Sequence, residues 1–333
     1  MQKIGEEPFR ANQLFNWIYK KNTADFDKML NISRESRKKF SEIFFISSFR
    51  SSEEFRSSDG TIKFRFGLDD GYFIESVYIP EEKRNTLCIS TQVGCPLGCK
   101  FCLTGEMGFK RNLSVSEMVN EVMSVKERTG RDRITNIVLM GMGEPLLNYE
   151  NVKKFINILI ASEGLAFAKR KVTLSTSGIL PELEKFIKEV DVSLSISLNA
   201  PDDETRSRIM PINRKFPLKE ILRAASLYPE VHKRMVTFEY VLIKGINDSL
   251  KQAEKLASLL KGLRCKINLI PYNENPYSEF KRPADETVLA FQEILKKHNY
   301  TATIRKSRGQ DISAACGQLG GHISTSQNQD RSL

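Results

Sequence analysis

Three of the chain's six cysteines fall within eight positions, in the run Cys95-Pro96-Leu97-Gly98-Cys99-Lys100-Phe101-Cys102, a C-x3-C-x2-C spacing. Thiolates are soft ligands that suit iron–sulfur clusters or zinc. Three ligands are one short of a closed four-thiolate site, so a [4Fe–4S] cluster held here would keep one iron open to an outside ligand. Zinc would need a fourth donor. The nearest, Cys88, stands inside a strand pattern, and the paired C-x2-C…C-x2-C of structural zinc sites is absent. Pro96, Gly98 and Lys100 mark the run as a loop, against three core cysteines that are neighbours by chance. Cys316, in Ala314-Ala315-Cys316-Gly317, is flanked by small loop residues, whereas Cys265 and, taken alone, Cys88 accompany apolar strand patterns and read as core. Six cysteines in 333 residues are too few for a disulfide scaffold; their clustering points to metal or redox chemistry in a reducing compartment.

The elements that must present this loop follow a strand–helix alternation that begins at residue 86. Apolar, β-branched runs predict strands over 86–90, 134–140, 171–175, 191–198, 236–243, 266–270 and 301–305. Helical periodicity predicts helices over 115–128, 151–162, 182–189, 218–228, 249–260 and 285–297, the first opened by the capping box Ser114-Val115-Ser116-Glu117. Such alternation implies a parallel α/β barrel, complete or partial, or a doubly wound sheet. Polar and small residues follow the strands: Gly141-Met142-Gly143-Glu144-Pro145, Thr176-Ser177-Gly178, Asn199-Ala200-Pro201 and Pro271-Tyr272-Asn273. In a barrel these share the C-terminal mouth with the cysteine loop, where ligands bind.

Upstream, residues 1–48 read as a small helical domain, with Ala11, Leu14, Phe15, Ile18 and Tyr19 at helical spacing and Phe26, Met29 and Leu30 beginning another apolar face. Residues 49–84 read as a β-hairpin connector, its strands parted by the turn Leu68-Asp69-Asp70-Gly71. The core then covers 85–319, and the polar 320–333 reads as a disordered tail. No apolar run approaches the roughly 18 residues of a membrane span, and the N-terminus lacks the apolar region of a secretory signal, so a cytoplasmic protein with no membrane partner is expected. A net charge of +10 suits a nucleic-acid partner without requiring one. Candidate contacts are Lys110-Arg111, Lys169-Arg170-Lys171, Arg214-Lys215, and Arg305-Lys306 with Arg308.

The cysteine spacing after the first strand of an α/β barrel resembles the radical-SAM superfamily, and Gly141-Met142-Gly143-Glu144-Pro145 resembles its "GGE" segment. More of the chain resembles one family: the RlmN-type dual-specificity RNA methyltransferases. The matching runs include Arg56-Ser57-Ser58-Asp59-Gly60-Thr61, Glu75-Ser76-Val77-Tyr78-Ile79-Pro80, Cys88-Ile89-Ser90-Thr91-Gln92-Val93-Gly94-Cys95, Thr173-Leu174-Ser175-Thr176-Ser177-Gly178, Ser197-Leu198-Asn199-Ala200, Leu269-Ile270-Pro271-Tyr272-Asn273 and Ala314-Ala315-Cys316-Gly317-Gln318-Leu319. The match spans about Phe9 to Leu319.

The resemblance implies a partial (β/α)6 barrel and a [4Fe–4S] cluster on Cys95, Cys99 and Cys102. It also implies two S-adenosylmethionine (SAM) molecules per turnover, with Gly143, Glu144, Ser175, Ser197, Leu198, Asn199 and Asn273 contacting SAM. It implies methylation of adenine C2 in 23S ribosomal RNA (peptidyl-transferase centre) and transfer RNA (the base 3′ of the anticodon). In the implied ping-pong route Cys316 is methylated first, and radical chemistry on that methyl then links Cys316 to the base. Glu75 accepts the C2 proton, and Cys88 resolves the adduct, leaving a Cys88–Cys316 disulfide. The implied partners are the two RNAs and an electron donor such as flavodoxin, with the protein a monomer. The rivals are a Cfr-type enzyme acting at adenine C8 and a non-enzymatic iron–sulfur or zinc RNA-binding protein.

Overall fold

The computed structural model describes residues 1–130, 133–275 and 278–320; the polar stretch 321–333 lies outside the described residues. The N-terminal segment forms α1 (Phe9–Phe15) and α2 (Arg34–Ile43). Ser33 caps α2 by accepting from the Ser36 amide. Leu14, Phe26, Met29, Ile32 and Phe40 close a small core distinct from that of the rest of the chain. Met29 is buried, but Leu30 is 77% exposed. The short 3-10 turn Phe26–Lys28 ends before it, so helical spacing no longer applies there.

The chain then changes period. Strands β1 (Ser51–Arg56), β2 (Ile62–Gly67), β3 (Phe73–Glu81) and β4 (Arg84–Cys88) form an antiparallel meander. The expected turn joins β2 to β3: Asp70 Oδ1 accepts from the Tyr72 amide, and Gly71 takes φ +85°. Next comes an excursion made of β5 (Gln92–Gly94), α3 (Leu103–Glu106) and β6 (Phe109–Asn112), in which β5 and β6 pair as a separate ribbon around the cysteine loop.

The alternation predicted from sequence follows in order. It runs α4 (Val115–Thr129), β7 (Asn136–Leu139), α5 (Tyr149–Ile160), β8 (Val172–Thr176), α6 (Leu180–Glu189), β9 (Ser193–Ser197), α7 (Asp203–Ile209), α8 (Leu218–His232), β10 (Val236–Leu242), α9 (Leu250–Leu259), β11 (Cys265–Pro271), α10 (Asp285–Lys297) and β12 (Thr301–Ile304). The main sheet has the order β1-β2-β3-β4-β7-β8-β9-β10-β11-β12, parallel from β4 onward. Strands therefore add in one direction, unlike a doubly wound sheet, whose order reverses at a switch point. The two edges, β1 and β12, do not pair with each other. This is the partial (β/α)6 barrel: helical crossovers join successive parallel strands. Among the described residues no helix is long and apolar enough to cross a membrane.

Helix α4 shows how the frame reaches the site. Its capping box is formed as predicted, and its inner face buries Met118, Val119, Val122 and Val125 at roughly 1.5–3 kcal/mol each. On that same face Glu121 is fully buried; its Oε2 accepts from the Ser76 hydroxyl and, at 2.9 Å, from the Ser90 amide. The Ser90 hydroxyl in turn donates to the Glu75 carbonyl at 2.7 Å and accepts from the Met142 amide at 2.9 Å. One polar chain thus fixes β3, the end of β4 and the loop after β7. Burial pushes the Glu121 carboxyl well above its usual range. Because its folded pKa is raised, its contribution to stability is full below the unfolded value of about 4.3 and falls as pH rises toward the folded value. Wild-type protein is expected to lose more stability than Glu121→Gln between pH 5.5 and 8.5, read from urea midpoints. Equal losses in the two proteins would refute it.

Candidate active site

The cysteine loop hangs from the β5–β6 ribbon. The Cys95 amide donates to the Gly108 carbonyl at 3.1 Å, and Gly94 permits that approach, since a Cβ there would lie 1.8 Å from the Gly108 oxygen. The Lys100 amide donates to the Ile209 carbonyl at 2.9 Å, tying the loop to the end of α7. Cys95, Cys99 and Cys102 all line one cavity of about 160 Å³ at the C-terminal ends of the parallel strands. Burial pushes the Cys95 thiol up to about 12 and the Cys99 thiol well above its usual value, and the neighbouring thiols add to both by repulsion. Sulfurs that repel when ionised are stabilised together by a positively charged metal centre. Among the described residues no three His, Cys, Asp or Glu side chains converge to hold a single ion. A polynuclear cluster asks each thiolate to reach its own iron, and three soft donors along one cavity wall fit that demand.

The opposite wall is built from the predicted strand-end segments. Gly143, Glu144, Ser175, Ser197, Asn199 and Asn273 line the cavity. Glu144 is buried; it accepts from the Thr176 hydroxyl at 2.7 Å and the Ser177 amide at 2.7 Å, and burial raises its carboxyl. Asn199 Oδ1 accepts from the Val241 amide at 2.8 Å. Leu198 is fully buried and offers its backbone instead: its carbonyl accepts from Arg206 Nε at 3.0 Å. Gly143 takes φ +102°, and a Cβ there would meet Gln92 Cβ at 2.6 Å. Gln92 Oε1 accepts from the Glu144 amide at 2.8 Å, so displacing it moves Glu144. Gly143→Ala is therefore expected to cost about 1–3 kcal/mol of stability and to weaken SAM binding about tenfold or more. Equilibrium binding to reconstituted protein checks this; unchanged affinity would contradict it.

The loop that carries Cys316 crosses the mouth and is held at many points. The Ser57 hydroxyl donates to Asp311 Oδ1 at 2.6 Å, and the Gly309 amide donates to Asp59 Oδ2 at 3.0 Å. The Leu103 amide donates to the Gly317 carbonyl at 2.8 Å, and the Thr104 hydroxyl to the Leu319 carbonyl at 2.8 Å. Asn273, expected to contact SAM, here donates to the Cys316 carbonyl at 3.0 Å and accepts from Gln310 Nε2 at 2.9 Å. Gly320, grouped by composition with the tail, donates its amide to Glu75 Oε2 at 2.8 Å.

Cys316 lines the cavity, and Cys88 is buried at the end of β4; both are free thiols, close enough to repel one another. Arg305 adjoins both thiols and is raised chiefly by Cys316. It lines the cavity with Nη1 3.6 Å from Met140 Sδ. Of the candidate pair Arg305-Lys306, Arg305 thus faces the cavity, while Lys306 is exposed. Arg111 is likewise spent on Asp70 and Glu117. Sequence patterning could not place Arg305, Lys63 or Arg206 inside the fold, because a basic residue reads as surface. Lys63 alternates with Arg65 between Ile62, Phe64 and Phe66, so the strand's own pattern hides it as one of a solvent-facing pair.

A partial barrel with a three-thiol loop and a glycine-rich, carboxylate-bearing wall at its mouth defines a radical-SAM enzyme. Residues 89–257 match the Radical SAM superfamily, and residues 1–46 match the ribosomal RNA large subunit methyltransferase N-terminal domain. The chain is 50% identical over 322 residues to the dual-specificity RNA methyltransferase RlmN of Syntrophus aciditrophicus (strain SB), covering 96% of this chain and 92% of that one. It is 46% identical to the RlmN of Desulfotalea psychrophila (strain LSv54 / DSM 12343), covering 98% of this chain and 93% of that one. A crystal structure of a radical SAM methyltransferase from Sphaerobacter thermophilus superposes with TM-score 0.90 at 43% identity, covering 96% of this chain and 95% of that one. The chain belongs to the RlmN family of dual-specificity RNA methyltransferases, and is an enzyme that uses a [4Fe–4S] cluster and SAM.

Proposed function

We propose that this protein methylates C2 of adenine in 23S ribosomal RNA and in transfer RNA, using Cys316 as methyl carrier and Cys88 as resolving thiol. The observation that carries this reading is the convergence of Cys316, Cys88 and Arg305 beside the cavity lined by Cys95, Cys99 and Cys102. C2 of adenine is an amidine carbon and a poor nucleophile, so it cannot simply take a methyl cation from a sulfonium. When bound at Cys95, Cys99 and Cys102, the cluster supplies the electron that cleaves SAM and so opens radical chemistry at a methyl group.

The chain's own groups do the rest. Cys316, at the cavity wall, is the nucleophile that accepts a methyl group. Once that carbon is joined to C2, Glu75 takes the C2 proton, and the one unpaired electron left on the adduct would pass back to the cluster that supplied it, leaving a closed-shell thioether. The Cys88 thiolate then attacks the Cys316 sulfur: an S–S bond forms, the S–C bond breaks, and its electron pair leaves with carbon, which takes a proton to become methyl. The resulting Cys88–Cys316 disulfide is reduced by an external thiol before the next cycle. Gly143, Glu144, Ser175, Ser197, Leu198, Asn199 and Asn273 position SAM. Asn273 can do so once it lets go of the Cys316 loop.

The same reading has residues 1–48 assist RNA docking and residues 49–84 brace the catalytic loop. It has the target base splayed into the mouth, an electron donor such as flavodoxin, and a cytoplasmic monomer. The decisive experiment is an anaerobic assay of the reduced, reconstituted chain on both RNAs, with mass spectrometry locating the methyl group. Methyl at C2 together with 5′-deoxyadenosine is expected. Methyl at C8 would overturn the reading in favour of a Cfr-type activity.

A further inference from the structure

Lys63 is fully buried, and its ammonium lies 3.3 Å from Glu75 Oε1, itself buried. The register of β2 against β3 sets Lys63 opposite Val77 and Arg65 opposite Glu75, so Lys63 and Glu75 are diagonal neighbours on one face. The same Nζ donates to the Ser313 carbonyl of the Cys316 loop at 3.4 Å and lies over the Phe55 ring at 5.2 Å. The other carboxylate oxygen of Glu75 accepts from the Gly320 amide. A lysine in this place is costly to bury unless its charge is used.

We propose that Lys63 is the positioning residue that orients Glu75 and supplies its counter-charge, and that it sets the base against the Cys316 loop through Ser313. The inference rests on Glu75 being the proton acceptor. A carboxylate buried without a counter-charge is strongly disfavoured, and the Lys63 ammonium, 3.3 Å away, is the counter-charge that Glu75 has. In the step itself the C2–H bond breaks, its electron pair stays with the base, and the proton passes to a Glu75 oxygen. Lys63 keeps its protons throughout and loses only its ionic partner. Its role therefore falls on resolution of the protein–RNA adduct, not on its formation.

The test uses the full reconstituted chain, a transfer RNA substrate and denaturing gels that count covalent protein–RNA adduct, with methylated RNA measured alongside. Lys63→Gln keeps a hydrogen-bond donor for Ser313 but no charge, and Lys63→Arg keeps the charge. Lys63→Gln is expected to form adduct at a rate near wild type and to release methylated RNA about 100-fold more slowly, the scale of a lost general base. Lys63→Arg is expected to restore release to within about tenfold of wild type. Glu75→Gln serves as the reference and should also accumulate adduct. If Glu75→Gln accumulates adduct and Lys63→Gln does not, the role of Lys63 is overturned while Glu75 stands. If Lys63→Gln fails to form adduct at all, Lys63 is a structural tether and the inference is again overturned. If Glu75→Gln resolves adduct normally, the base assignment itself falls, and this inference with it.

Discussion

Cys316→Ala is expected to yield neither methylated RNA nor covalent adduct, whereas Cys88→Ala is expected to accumulate adduct and release almost no product. Losses of at least about 10³-fold are the scale on which removal of a nucleophile acts. The proposed division of labour follows from the surroundings of the two thiols. Burial, with repulsion from Cys316 next, pushes the Cys88 thiol up to about 12, while Arg305 pulls it back. Cys88 is therefore a protonated thiol in the resting protein and does not compete with Cys316 for a methyl group. Once Cys316 carries carbon on its sulfur, its repulsion of Cys88 vanishes. The resolving thiol then ionises more readily beside Arg305, and adduct release should accelerate as pH rises toward 9. Denaturing gels and mass spectrometry of the two variants decide the matter. Equal methylated product from both, or adduct on Cys316→Ala, would sink the assignment.

Much of this was legible because the barrel repeats one physical rule. Runs such as Asn136–Leu139 and Val236–Leu242 are apolar in sequence because both faces of a parallel strand are covered. The helix Asp285–Lys297 has the predicted bounds because its periodicity is clean. The cysteine loop was legible because Pro, Gly and Lys between soft ligands leave few other readings. Strand β1 and the β5–β6 ribbon were not singled out. Ser51–Arg56 and Phe109–Asn112 are short, polar and largely exposed, and owe their pairing to neighbours rather than to an apolar pattern. Barrel and doubly wound sheet share the same local alternation, so the choice between them waited on strand order. The buried charges were hidden for a related reason. Lys63 and Arg206 are polar letters to any periodicity, and only tertiary partners show that they are inside.

Arg206 carries the largest stability effect expected here. It stands on α7, two positions before Arg208, and nothing in Thr205-Arg206-Ser207-Arg208 tells the two arginines apart. In the fold Arg208 is exposed, whereas Arg206 is fully buried. Its guanidinium donates to the Leu198, Ser177 and Ser197 carbonyls at 3.0, 2.8 and 3.0 Å and to Asn213 Oδ1 at 3.0 Å. Burial lowers its pKa to about 10, opposed by Cys99 and Asp203, so it stays charged at neutral pH. One planar group thus gathers the loops after β8 and β9, which carry the cavity residues Ser177, Ser197 and Asn199, against the helix whose end holds Lys100 of the cysteine loop. Arg206→Met leaves those acceptors buried without a donor and is expected to cost about 3–5 kcal/mol in urea unfolding. Arg206→Lys restores the charge but not the fork, and should recover less than about half of that. Arg208→Met should stay within about 0.5 kcal/mol of wild type. If Arg206→Met and Arg208→Met unfold alike, the guanidinium is not what joins these loops, and the strand-end segments must hold their positions through backbone packing alone.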